Sequence, residues 1–312
     1  MADGWGDTPI AIPTELVLPR HYPPASQLNR AGERLRGANL SDQNLERVDF
    51  TRADLSGANL ERARLVDAQI ADANLSGALL RSANLTAASL RRTNLLGAVL
   101  MSTTLEQATL SQANLAGANL SEAELYNANL TEADLSYTML RRASLVNANL
   151  SRAHMHQINA NGAELYGING SYAELHRAQL QRCDLRQANL TYANLTEATL
   201  TKANLNQATL TGANGSAAVF KQVNLTWATL SHANLASADL EQAVMVYATL
   251  VETDLSGANL KTARLDHATI KSSHLRNVNW QQASVQGTHF YQPIGLLDHE
   301  KNWLRSQGAI IS

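Results

Sequence analysis

The sequence predicts an all-β fold: a right-handed quadrilateral parallel β-helix of about 13 coils over residues 31–290. A large apolar residue occupies almost every fifth position from Leu35 to Phe290, without one insertion, and 40 of these 52 positions are Leu. The residue two places earlier is small, and it is Ala at 38 of the 52 positions. Glycine also recurs at every fourth repeat, at Gly37, Gly57, Gly77, Gly97 and Gly117, and again in the same phase at Gly257.

The period of five excludes a single long helix or a single long strand. On an α-helix, five residues advance about 500°, so successive Leu would drift around the axis and form no stripe. In one continuous strand, an odd period would send alternate Leu to opposite faces. Each repeat is therefore a short strand, in which Ala and Leu share a face, followed by a turn. The glycine period of four repeats then gives four sides to a coil, and right-handed winding is the usual hand of parallel crossovers.

Composition and charge narrow the possible function classes. The 312 residues carry 25 Lys+Arg and 27 Asp+Glu, a net charge of −2, so no bulk field draws the protein to nucleic acid or to an anionic membrane. The single cysteine, Cys183, excludes an intramolecular disulfide and fits a reducing compartment. We find no apolar run long enough to span a membrane and no secretory signal, and therefore expect a cytoplasmic protein.

Both ends of the repeat region should be covered, because the ends of a solenoid expose backbone edges and apolar side chains. Residues 1–30 form a non-repeat segment that contains five of the six prolines, and we expect it to run extended. Residues 291–312 form the C-terminal cap. There we expect Asp298 to cap a short helix that ends near Gly308, with Leu297, Trp303 and Leu304 over the open core.

Small residues interrupt the series of Leu at Ala160 and Gly170, within one coil, and again at Gly215. We expect Ile158 and Ile168, which replace Ala, to fill much of the volume lost at Ala160 and Gly170. Gly215 has no such neighbour at the Ala position, so we expect Phe220 on the next side to fill that gap.

The A(N/D)LXX pattern, as in Ala58-Asn59-Leu60 and Ala133-Asp134-Leu135, resembles that of the pentapeptide repeat proteins. It covers about five-sixths of the chain. The C-terminal stretch 304–310 is similar to tails of cyanobacterial members. The resemblance implies the quadrilateral β-helix. It also implies a regulatory or adaptor function, or the DNA mimicry of the fluoroquinolone-resistance members that bind DNA gyrase.

The residues indicate no active site. We find no P-loop, GxGxxG, GxSxG, HExxH or paired-cysteine motif, so we expect a protein that is not an enzyme and carries no cofactor. One cluster has metal-ligand chemistry, because side chains one coil apart could share Zn²⁺ or Ni²⁺. Its members are His154, His156, Glu174 and His176. A convex wall gives such ligands little support, so we expect a solvated polar face and no metal.

Two groups of apolar residues fall at positions that should face outward, and clustered exposed apolar residues mark interfaces. The first group is Leu79, Leu96, Val99, Met101 and Met139. The second, on another wall, is Trp227, Val244, Val246 and Tyr247. The first group could instead be covered by the N-terminal segment or by a second subunit.

The leading hypothesis is therefore a rigid, non-catalytic scaffold or adaptor that presents flat walls to a protein partner, with a homodimer possible and neither nucleic acid nor membrane as partner. The runner-up is a DNA-mimic binder of gyrase. Such rods are acidic and often carry Phe inside, whereas this chain has Leu there and many arginines in its early coils. A surface metal-binding protein is the third hypothesis.

Overall fold

The computed structural model describes residues 29–312, and the repeats within this range form a parallel β-helix with four sides. Each short strand pairs in parallel with the strands one coil before and one coil after it, as Asn59 does with Asn39 and Leu79. We number the four walls in chain order by the coil at 53–70, so that wall 1 contains residues 53–55, wall 2 contains 58–60, wall 3 contains 63–65 and wall 4 contains 68–70. Walls 2 and 4 are on opposite sides of the rod.

The longest regular elements are at the C-terminal end of wall 4. Strands β1 (Thr249–Val251), β2 (Thr269–Lys271) and β3 (His289–Tyr291) are followed by helix α1 (Asp298–Ser306) and strand β4 (Ile310–Ile311). They form one parallel sheet in the order β1-β2-β3-β4.

The backbone of each coil is hydrogen-bonded to both neighbouring coils. The N–H of Leu60 donates to the carbonyl of Leu79 at 2.7 Å, and the N–H of Asn59 donates back to Ala38 at 2.9 Å. At the corner, the N–H of Gly57 donates to Ser76 at 2.9 Å. Since this pattern repeats on all four walls, the middle coils leave few backbone groups unpaired.

Each corner is a tight turn whose second residue has a left-handed backbone. In one example the N–H of Ala53 donates to the carbonyl of Phe50 at 2.9 Å, and Arg52 has φ 60°, as at the third position of a type II turn. The outward Asn or Asp before each Leu also supports the next corner: the Oδ1 of Asn59 accepts the N–H of Glu61 at 3.0 Å. This contact explains why Asn or Asp so often precedes the core Leu.

The core is a column of Leu and Ala with almost no polar atoms. Where Thr, Ser or Cys replaces the buried Ala, its side chain donates to a carbonyl of the preceding coil, as Thr253 does to Leu230 at 2.8 Å. The thiol of Cys183 donates in the same way to Ala160 at 2.9 Å. Burial raises the pKa of the Cys183 thiol to about 12, so the thiol stays protonated and unreactive.

Neighbouring side chains occupy part of the space at Gly170 and most of it at Gly215. A Cβ added to Gly170 would lie 3.0 Å from Leu190 and 3.8 Å from Ile168, although a small apolar cavity is left beside Gly170. A Cβ added to Gly215 would lie 3.1 Å from Phe220. The ring of Phe220 therefore occupies the space of the missing side chain, as predicted.

The C-terminal cap differs in two details from the sequence-based prediction. Helix α1 begins at Asp298, so the residue before the helix is Leu297, and its N–H donates to the side chain of Glu300 at 2.7 Å. Leu297 is exposed, whereas Leu304 is fully buried and Trp303 is half-buried against the core. A short helix turns only part of its surface inward, so Leu297 falls on the solvent side. Residues 1–28, including most of the predicted N-terminal segment, lie outside the described residues.

We expect Ala118→Leu to lower the free energy of unfolding by about 1–3 kcal/mol, because Ala118 is fully buried and overpacking a dense core is costly. Ser121→Leu is the matched control: Ser121 is only half-buried, at a corner of the same coil. Equal melting temperatures for the two variants would contradict the inward assignment of Ala118.

Candidate interaction surfaces

The first apolar patch lies on and beside wall 2. Leu79 pairs in register with Val99 one coil away, and their side chains point outward. Leu79 and Leu96 are 39% and 50% exposed, whereas Val99 and Met101 are half-buried.

Met139 stands apart from the other four residues of this patch. It is 41% exposed in the same column as Val99, but Asn119 lies between them. Four of the predicted residues are therefore neighbours, and Met139 is a separate apolar point on the same wall.

The second group contains a stack of aromatic rings at the corner between walls 3 and 4. The rings of Trp227 and Tyr247 are 4.2 Å apart and nearly parallel, and His267 continues the stack at 5.2 Å. The stack ends over Gly287, where an added Cβ would lie 2.7 Å from the His267 ring. We call these three residues the aromatic ladder. Trp227 and Tyr247 are 55% and 42% exposed.

The two valines of the second group both lie on the wall 3 side of the aromatic ladder. Val246 is at the corner, where its carbonyl accepts the N–H of Trp227 at 3.0 Å. Val244 is on wall 3, paired with Asn224 and Arg264. Only Val246 therefore shares the corner with the aromatic ladder.

A second aromatic stack, which was not predicted, lies at the other corner of wall 4. The rings of Tyr172 and Tyr192 are 5.2 Å apart, and the guanidinium of Arg152 lies 5.9 Å from the Tyr172 ring. An added Cβ at Gly212 would lie 2.3 Å from the Tyr192 ring. Both stacks could have been found in the sequence, because their members are four repeats apart and each stack is followed by Gly after four more.

The histidine cluster on and beside wall 1 is engaged with its neighbours. The rings of His154 and His156 stack at 6.1 Å, while the Nδ1 of His176 contacts the hydroxyl of Thr196 at 2.8 Å. Glu174 accepts a hydrogen bond from the next coil at 2.8 Å. Across residues 29–312, no three His, Cys, Asp or Glu side chains are grouped so that they could hold a metal ion.

The repeat pattern and the four-sided coil are shared with known proteins. The sequence profile described as "Pentapeptide repeats" matches this chain in eight copies, and the matches include residues 34–69, 68–107, 108–147, 148–187, 178–214 and 223–261. The chain belongs to the pentapeptide repeat family. The right-handed quadrilateral β-helix of that family agrees with the parallel pairing of strands four repeats apart.

Several solved structures of pentapeptide repeat proteins are similar to this chain. HetL from the cyanobacterium Nostoc sp. strain PCC 7120, which is involved in heterocyst differentiation regulation, is 30% identical over 78% of this chain and 89% of its own, with a TM-score of 0.25. Full-length QnrB1, a plasmid-mediated fluoroquinolone resistance protein, is 16% identical over 71% and 90%, with a TM-score of 0.30. A protein of the Arabidopsis thaliana thylakoid lumen is 24% identical over 42% and 79%, with a TM-score of 0.20. Comparison with curated protein sequences gives no match.

Several charges on the pentapeptide repeat rod are paired between adjacent coils. Arg62 contacts Asp42 at 2.6 Å, and its guanidinium holds the pKa of Asp42 below the usual value. Arg177 and Glu197 repeat the arrangement at 2.8 Å. Such exposed pairs add little stability, since water and salt screen them, but they neutralise the surface locally. No helix within residues 29–312 has the length and apolarity needed to cross a membrane.

Proposed function

We propose that this pentapeptide repeat protein is a non-catalytic scaffold that binds a protein partner in the cytoplasm. The observation that carries the proposal is the aliphatic patch on and beside wall 2, in which Leu79 and Leu96 are exposed and Val99 and Met101 are half-buried. Clustered exposed aliphatic side chains are costly to leave in water, and burying them against a partner contributes about 25 cal/mol per Å².

The rest of the rod supports a binding role. The cavity beside Gly170 is lined by Leu, Ile and Met and offers no polar groups to a substrate. The walls are rigid, because every coil is hydrogen-bonded to the next, so little conformational entropy is lost when a partner binds.

The pairing of charges favours this proposal over DNA mimicry. A DNA mimic presents a continuous anionic surface, whereas the early coils pair Arg62 with Asp42 and Arg92 with Asp72. These contacts place positive charge among the acidic groups.

We expect the double variant Val99→Glu with Met101→Glu to fold normally and to lose the partner that the unmodified chain captures from a lysate of its source organism. Both side chains point away from the core, so the charges disturb only the patch. Val219→Glu is a matched control, since Val219 occupies the equivalent position on wall 2 six coils further along. Capture that is unchanged in the double variant, or lost equally in the control, would contradict the assignment of this patch.

A further inference from the structure

Wall 4 is distinguished from the other walls by the absence of charge. Each wall has three outward columns. They contain the outward strand residue, the corner residue two places before it and the corner residue two places after it, as at 229, 227 and 231. Between Gln107 and Val251, the columns of wall 4 contain 24 residues, and none is Asp, Glu, Lys, Arg or His. The equivalent blocks of walls 1 (112–256), 2 (117–261) and 3 (102–246) contain six, seven and nine Asp, Glu, Lys or Arg residues.

The centre of wall 4 is instead an ordered array of amides and hydroxyls. Asn149, Asn169 and Asn189 are linked by side-chain amide hydrogen bonds of 3.2 and 3.3 Å. The same column continues as threonine at 209, 229, 249 and 269. Among the described residues, none provides a hydrogen-bond partner for these four hydroxyls, which are therefore free to bond outward.

Aromatic residues border this uncharged wall on both sides. Tyr172 and Tyr192 stand at one corner, and Trp227 and Tyr247 at the other, all of them exposed. Six of the chain's eight tyrosines lie on wall 4 or at its two corners. Enrichment in aromatic side chains and depletion of charge both distinguish protein interfaces from the rest of a protein surface.

We propose that wall 4 is a dimerisation surface and that its occupant is wall 4 of a second copy of this chain. A two-fold axis brings the same patch of both copies together, so a residue near the axis faces its own copy, and a charge there meets a like charge, which is strongly unfavourable. Walls 1–3 carry charges throughout their blocks, whereas the block of wall 4 carries none and can place any of its residues at the axis. Asn, Gln, Ser and Thr each combine a donor with an acceptor, so the array can hydrogen-bond to a copy of itself.

The dimensions of the wall also fit a second copy. Adjacent coils are about 4.8 Å apart in both copies. The rows of outward side chains on the two walls therefore have the same spacing and stay aligned along the whole contact. Eight coils of that spacing and a wall about 15 Å wide give roughly 600 Å² on each copy, before the aromatic borders are added. This area reaches the lower end of specific interfaces, which bury about 1,200–2,000 Å² in total. The inference does not depend on the proposed function, which concerns the opposite wall.

The test is sedimentation velocity of the full chain over a range of concentrations. We expect a species of twice the chain mass of 33.7 kDa. Its dissociation constant should not change between low and high salt, because no charge pairs cross the interface. The variant Asn189→Glu with Thr209→Glu should weaken dimerisation by more than about 100-fold. The matched control is Gln179→Glu with Thr199→Glu, at the equivalent positions of wall 2, and it should dimerise like the unmodified chain.

Variants of opposite charge distinguish loss of the interface from loss of folding. Chains with Asn189→Lys and Thr209→Lys should also be monomers alone, but mixing them with the Glu variant should restore a dimer. A monomer of the unmodified chain at every concentration would overturn the proposal. So would a dimer that survives both wall 4 variants, or one that the wall 2 control abolishes. Capture experiments on the Val99 patch are independent of these outcomes.

Discussion

Phe220→Ala should lower the free energy of unfolding by about 3–5 kcal/mol, the range for removing a buried aromatic side chain from a core that cannot collapse. Phe220 is fully buried, and its ring also fills the space that a Leu would occupy at residue 215. Ala at 220 would leave two adjacent core positions nearly empty. Denaturant titration followed by circular dichroism measures the loss.

Substitution of the neighbouring Gly215 tests the same packing more directly. Gly215→Leu alone should also destabilise the rod, because even an added Cβ lies 2.9 Å from Leu235 and 3.1 Å from Phe220. Gly215→Leu combined with Phe220→Leu should restore much of the stability, since the regular core has Leu at both positions. If the two substitutions are merely additive, Phe220 does not fill the space beside Gly215.

Leu304→Asp should open the C-terminal end of the rod. Leu304 is the one fully buried residue of α1, and a charge there has no partner in an apolar surrounding. Leu304→Ala already removes about 2–5 kcal/mol of packing, and the Asp variant should cost more. In a solenoid each coil is stabilised by its neighbours, so unfolding should begin in the coils next to α1.

Hydrogen exchange can locate this damage. In Leu304→Asp, the amides of β3 and β2 should lose protection first, while coils before Leu200 keep theirs. Arg305→Ala is the control, since Arg305 is exposed on the same helix. Uniform loss of protection along the whole rod would show that α1 is not a local cap.

Much of the fold was predictable because one short rule recurs along the chain. The period of five places Leu and Ala inside, and the regular spacing of glycine predicts the pairing seen between Asn39, Asn59 and Leu79. The five-residue pattern ends at Phe290, so it predicts nothing about the residues that follow. The start of α1 depends on one hydrogen bond from the N–H of Leu297 to Glu300, which no periodicity shows. The predicted roles of Asp298 and Leu297 were therefore wrong.

The candidate surfaces were predictable only in part, because neighbours on the rod are distant in the chain. Leu96, Val99 and Met101 are close in sequence and lie on and beside the same wall, but Met139 is separated from Val99 by Asn119 in the same column. The stack of Tyr172 on Tyr192 and the uncharged face of wall 4 emerge only when residues are compared at intervals of four repeats.

The pairing of strands four repeats apart gives every outward side chain two coordinates, an angle around the rod and a height along it. Loss of one repeat, such as residues 141–145, would keep the core continuous but turn everything after it by a quarter turn. Trp227 would then stand at the corner between walls 2 and 3. Loss of four repeats would keep every angle and shorten the rod by about 4.8 Å. Insertions and deletions thus rotate one group of surface residues against another or shift it along the axis, while the Leu core stays intact.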